Sequence, residues 1–182
     1  QHSYGCRALS NGDKEGCFTG FDFKNQFKNS SQFETEVFFR TNGRDNLITR
    51  GSELAPYIKL PQNYGIEFKY VGQKNKFWQW DLFAQRAKGS ERSSALGWRN
   101  KYYSSVKVFP LPNLTLRFSY SHEKETNWLN WIQDNLLGTY EKTQRNTNFS
   151  IKYFKGNQHE LRIKAQLVAF NAINPKAQIA SI

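Results

Sequence analysis

No stretch of this chain approaches 18 consecutive apolar residues, so no transmembrane helix can be drawn from it. That absence leaves membrane-spanning strands open, because such strands are short and only half apolar. Histidine is scarce, and His2, His122 and His159 stand far apart. The two cysteines, Cys6 and Cys17, match no zinc template and have no histidine cluster beside them. The polar run from Asn11 to Glu15 lacks the full ligand set of a calcium loop. No nucleophile, acid or base falls into an arrangement that supports catalysis, so no enzyme activity and no cofactor are expected. The formal net charge is +11. Even so, Lys and Arg form no run and no nucleic-acid motif surrounds them, which argues against a nucleic-acid partner. Helical periodicity is weak throughout, except for one candidate helical turn over Trp128-Leu129-Asn130-Trp131-Ile132. No leader segment opens the chain at Gln1, which suits either a processed protein or an internal segment.

What the sequence does hold is aromatic residues in a polar background. Aromatics make up 16% of the 182 residues, with 15 Phe, 9 Tyr and 5 Trp. Mean hydropathy is nevertheless −0.76. That combination fits a structure with two unlike faces. The clearest stretch follows the turn Pro110-Leu111-Pro112-Asn113. There Leu114, Leu116, Phe118 and Tyr120 alternate with Thr115, Arg117, Ser119 and Ser121. Later, Leu161, Ile163, Ala165 and Leu167 alternate with Glu160, Arg162, Lys164 and Gln166. Period two with a polar residue at every other place marks a strand with one apolar and one wet face.

Extended along the chain, the same pattern predicts strands over about 18–27, 32–41, 64–72, 76–86, 101–109, 114–122, 138–154 and 159–170. Loops are expected over about 1–17, 42–63, 87–100 and 123–137, and the tail from 171 shows no pattern. Short turns and long loops thus alternate, as in outer-membrane barrels. With the short turns in the periplasm, the first and last strands would begin and end outside. The 182 residues are therefore expected to be an interior slice of a larger barrel.

The polar face carries Glu34, Glu36, Arg40, Glu67, Lys69, Asp81, Lys107, Arg117, Lys152, Arg162 and Lys164. Two readings apply. Opposite charges pair across neighbouring strands of a wet lumen, or they filter a solute. Acids fall in the early strands and bases in the late ones, which suits a field across the lumen. Phe27, Phe33, Phe77, Trp78, Phe109 and Phe154 lie by the short turns, as an interfacial aromatic girdle would. Trp98, Trp128 and Trp131 fall in expected outer loops and are the candidate contacts for a ligand or partner. His122, Glu123 and Glu125 read as solvated groups at a strand-to-loop edge. In an oxidising compartment Cys6 and Cys17 would pair and pin an outer loop.

Three segments also carry a resemblance. They are Asn127-Trp128-Leu129-Asn130-Trp131, Asn135-Leu136-Leu137-Gly138-Thr139-Tyr140-Glu141, and Gln158-His159-Glu160-Leu161-Arg162-Ile163-Lys164-Ala165-Gln166. Together with the approach Phe109-Pro110-Leu111-Pro112-Asn113-Leu114-Thr115, they resemble the C-terminal β-barrel of uncharacterised bacterial outer-membrane proteins. In that family an N-terminal carbohydrate-binding family-9-like domain precedes the barrel. The likeness is best over about residues 100–170. The sandwich domain and the family's closing strands have no counterpart here, and the family supplies no catalytic residues. The resemblance implies a glycan-handling or export role for a parent protein.

The expected architecture is an all-β antiparallel meander of about eight amphipathic strands in one domain over 1–182, part of a transmembrane β-barrel in a Gram-negative outer membrane. Its role would be structural, transport or secretion-related. Its partners would be the lipid bilayer, lipopolysaccharide and other outer-membrane or periplasmic proteins. The competing class is a soluble β-sandwich or small barrel that binds a glycan or other ligand.

Overall fold

The computed structural model describes residues 1–8, 14–45, 58–89, 97–133, 136–156 and 159–179. These residues are all-β. Eleven strands follow in chain order: β1 (His2–Ala8), β2 (Lys14–Gln26), β3 (Gln32–Arg40), β4 (Gly43–Asp45), β5 (Ile58–Leu60), β6 (Asn63–Val71), β7 (Trp78–Lys88), β8 (Trp98–Leu111), β9 (Leu114–Gln133), β10 (Leu136–Lys155) and β11 (His159–Ile179). Nine of them form one antiparallel sheet in the order β1-β2-β3-β6-β7-β8-β9-β10-β11. β4 and β5 form a separate small ladder in the excursion between β3 and β6. The meander follows from the sequence: short turns join runs rich in Phe, Tyr, Val and Ile, residues that fit a pleated surface. In the turn between β6 and β7, Asn75 Oδ1 accepts from the backbone N–H of Phe77 and Trp78, at 2.8 and 2.7 Å.

The sheet is open. β1 and β11 make no contact with each other. It is also a single layer, since among the described residues no helix or second large sheet covers it. Buried apolar residues are accordingly few: Phe38, Ala87, Leu129 and Leu137. The pleat sends Phe21, Phe23, Val37, Phe68, Leu82, Phe118, Phe149, Ile163 and Leu167 to one face, and there they stay exposed. Phe23 is 60% exposed and Leu167 71%. On the opposite face Ser105 and Ser119 are each only 5% exposed. The polar face is therefore the sheltered one, the reverse of a soluble sheet. Gly65 lies on that face between Phe38 and Ala87. A Cβ there would stand 2.7 Å from Phe38 Cζ and 2.8 Å from Ala87 Cβ, so the glycine leaves the space the ring occupies.

Several boundaries differ from the sequence reading. Residues 1–17 are not one loop: β1 pairs with a β2 that starts at Lys14. The sheet has nine strands rather than eight. The expected loop over 42–63 contains β4 and β5, with 46–57 outside the described residues. The loop over 87–100 is shorter than expected, because β7 runs to Lys88 and β8 starts at Trp98; residues 90–96 lie outside the described residues. The largest difference is at 123–137. Its described residues, 123–133 and 136–137, are strand in the ladder that joins β9 and β10, and the expected helical turn at 128–132 is extended chain. The tail is strand as far as Ile179. At 20, 20 and 21 residues, β9, β10 and β11 reach roughly 65 Å at about 3.3 Å per residue.

β11 crosses Pro175 at a shift in its register with β10, where Asn174 takes φ 55° and donates from Nδ2 to Glu141 Oε1 at 2.9 Å. An edge strand tolerates a proline because its outer N–H groups have no ladder partner to lose.

Cys6 and Cys17 form a disulfide between directly opposed positions of β1 and β2, with Cα atoms 4.1 Å apart. The bond ties two strands together rather than pinning a loop outside the sheet; residues 9–13 between them lie outside the described residues. It is the one covalent tie on an edge strand. The double variant Cys6→Ser/Cys17→Ser should lose amide-exchange protection across β1 and its pairing with β2, while β8–β10 keep theirs. The hairpin should weaken by about 2–3 kcal/mol, as expected for a short closed loop. Hydrogen-exchange mass spectrometry checks this, and uniform loss across the sheet would contradict it.

Candidate functional site: the polar face

The pairing registers put Glu34, Glu36, Arg40, Glu67, Lys69, Asp81, Lys107, Arg117, Lys152, Arg162 and Lys164 on one face. Acids lead at one end, where Asp22, Glu36 and Glu67 share a row across β2, β3 and β6. Bases lead across β8–β11. Partners sit mostly on neighbouring strands. Glu34 lies between Lys24 (3.0 Å) and Lys69 (3.7 Å). Glu160 lies between Lys152 (3.2 Å) and Arg162 (2.7 Å). Glu67 accepts a hydrogen bond from Gln85 Nε2, and Asp81 accepts one from Ser105 Oγ at 3.0 Å.

The tightest cluster is one the sequence reading missed. Glu123 and Glu125 do not sit in solvent at a loop edge. Because β9 continues as a strand, period two holds both on the polar face, opposite Lys142 of β10 and Arg99 of β8. Lys142 Nζ donates to Glu123 Oε1 and to Glu125 Oε1, each at 3.0 Å. Arg99 Nη2 donates to Glu123 Oε2 at 3.5 Å. The Glu125 side chain is 0% exposed and that of Lys142 11%. An isolated carboxylate this deep is strongly unfavourable, so Lys142 is what keeps Glu125 tolerable. The signal that would have found the cluster was parity: Glu123 and Glu125 continue the series Arg117, Ser119, Ser121.

The same parity separates other groups. His122 lies on the apolar face, away from both glutamates. Trp128 and Trp131, three apart in an extended strand, fall on opposite faces and form no joint platform. A register shift between Tyr140 and Lys142 inserts an extra residue in β9 and brings Trp128 over to the polar side. Its ring lies 6.0 Å from Tyr140, 5.8 Å from Phe170 and 5.5 Å from Lys142 Nζ. Trp131 pairs with Leu137. Trp98 stands with Tyr64 (6.1 Å, edge-on) and under Arg86 (4.7 Å) on the face of Tyr102, at the first position of β8 rather than in a loop. Of the expected aromatic girdle, Phe33 and Trp78 are on the apolar face. Phe109 and Phe154 take the other pleat position, covered by Lys74 (5.0 Å) and Lys152 (4.6 Å).

Two hollows mark the polar face. One, of about 560 Å³, is floored by Arg117, Ser119, Asn148, Ser150, Lys164 and Gln166. The other, of about 630 Å³, includes Lys69, Asp81, Lys101, Lys107 and Phe83. They meet at Tyr103 and Arg117. Among the described residues no group of three metal-ligating side chains converges. No protein-family model, curated protein or solved structure matches this chain.

Lys142→Met should destabilise the sheet by about 3–5 kcal/mol, because it leaves Glu125 buried without its cation. Adding Glu125→Leu should recover much of that loss. Urea titrations of the two variants and of the parent check this; additive losses would show that the two side chains are not coupled.

Proposed function

We propose that this sheet is part of the wall of a bacterial outer-membrane β-barrel, with its apolar face toward lipid and its polar face toward a wet interior. Its role is structural or transport-related, and it carries no catalysis. The observation that supports this reading is the inversion of the sheet: large apolar side chains stand exposed on one face of a single layer, while serines, carboxylates and lysines occupy the sheltered one. A face that holds Phe21, Phe23, Leu82, Phe118 and Ile163 open to water exceeds what soluble chains leave uncovered. A bilayer provides the missing cover.

The apolar belt has limits that suit this reading. On β9 it runs from Leu114 to Tyr120 and gives way to His122 and Lys124. On β10 it runs from Tyr153 to Phe149 and gives way to Thr147 and Arg145. Beyond it β9 and β10 continue as a hairpin, which would stand clear of the membrane toward lipopolysaccharide. The resemblance of residues 100–170 to barrels of large outer-membrane proteins points the same way. The open edges at β1 and β11 would be paired in the closed wall.

Heat-modifiable gel mobility of the protein in outer-membrane fractions tests the reading. A shift on boiling is expected; an unshifted protein in the soluble fraction would favour a ligand-binding soluble β-protein instead. A paired substitution tests the faces. Leu116→Arg should impair insertion by about 2–4 kcal/mol near the mid-membrane, and Thr115→Arg on the opposite face should fold and insert normally. Equal damage from both would contradict the face assignment.

A further inference from the structure

One row of the polar face breaks the pattern of its neighbours. Lys107, Arg117, Ser150 and Lys164 stand directly opposite one another across β8, β9, β10 and β11. Like charges directly opposed across a ladder destabilise it. Other cation groups on this face have carboxylates among their bases: Glu34 between Lys24 and Lys69, Glu160 between Lys152 and Arg162, and Glu123 between Lys142 and Arg99, with Glu125 also on Lys142. Among the described residues no carboxylate lies within 4.0 Å of Lys107, Arg117 or Lys164. Asp81, which lines the same hollow as Lys107, is turned to Ser105.

The surroundings of the row are built for hydrogen bonding. Arg117 Nη2 donates to the Tyr103 hydroxyl at 2.8 Å, which steadies the guanidinium at the seam of the two hollows and leaves its other N–H groups to donate. The Tyr103 O–H, accepting from Arg117, also remains free to donate outward. Ser150 sits in the row between Arg117 and Lys164, and Ser119, Asn148 and Gln166 line the next row. Lys107 to Lys164 spans three inter-strand steps, roughly 15 Å at about 4.8 Å per step. Their long side chains can close on a smaller ligand.

We propose that this row binds a small, multiply charged oxyanion, with Arg117 as the bidentate anchor, Lys107 and Lys164 as flanking charges, and Ser150 and Tyr103 as neutral donors. A guanidinium fork matches the paired oxygens of phosphate and carboxylate alike. The bound anion supplies the negative charge that the row lacks and relieves its repulsion. The site deepens the barrel reading, where it would line the interior, but it does not depend on it: the row and the hollows belong to the sheet itself.

The test is calorimetric titration of the folded protein in octyl glucoside, with inorganic pyrophosphate in one arm and citrate in the other. Saturable binding of either is expected, and the tighter arm tells phosphate-type from carboxylate-type ligands. Arg117→Gln and Lys164→Gln should each weaken the tighter ligand about tenfold. Lys24→Gln, on a distant balanced row, should change it less than about twofold. Circular dichroism confirms that each variant keeps its strands. Without ligand, Lys107→Gln should melt at or above the temperature of the parent, because it removes repulsion. If neither anion saturates the folded parent, the site is overturned. It is likewise overturned by an equal loss from Lys24→Gln, which would reduce the binding to diffuse attraction by the net charge. Neither result bears on heat-modifiable mobility, which tests the barrel reading separately.

Discussion

Period-two alternation within a single layer is the constraint on which the rest of this structure depends. Each strand residue must go to one of two faces. With no second layer among the described residues, the large side chains of the apolar face stay uncovered. The chain sends Phe21, Val37, Phe68, Leu82, Phe118 and Ile163 one way, and Glu34, Glu67, Asp81, Arg117 and Lys164 the other. Cohesion therefore comes from backbone ladders and cross-strand pairs rather than from a packed core. The few buried apolar residues, Phe38, Ala87, Leu129 and Leu137, are too scattered to make one.

Charge takes over part of the role a core plays elsewhere. Acids set between bases stitch adjacent strands at Lys24–Glu34–Lys69, and the buried Lys142 holds Glu123 and Glu125 across the β9–β10 ladder. The same arrangement makes the exception informative. Lys107, Arg117 and Lys164 carry a repulsion that a nearby Asp or Glu would have removed, and sequences retain such local conflicts where function requires them.

Legibility in the sequence tracked contrast between the two faces. From Leu114 to Ser121 apolar and polar residues alternate without a break, and the strand is readable at once. From Glu123 to Gln133 the outward positions turn polar too, with His122 and Lys124 where Leu and Phe had been. Hydrophobic alternation fades there although the backbone goes on pairing, so Thr139 still meets Leu129 and Lys142 still meets Glu125. The tail hid its strand behind Pro175, which sits where the register between β10 and β11 shifts. β1 was hidden by glycine and polar residues, and its place in the sheet comes from pairing with β2. The aromatics near the turns were assigned to a girdle by their place in the chain, yet pleat parity moves Phe109 and Phe154 to the other face.

By itself the sequence determined the strand class, most of the turns, the parity of the charges and the pair Cys6–Cys17, because each of these rests on local spacing and residue type. Only the tertiary structure decided how far β9, β10 and β11 extend, which glutamates are buried with Lys142, and that Lys107, Arg117, Ser150 and Lys164 share one row. Those facts depend on register between strands far apart in the chain, and a slip of one residue would move every side chain in a strand to the other face.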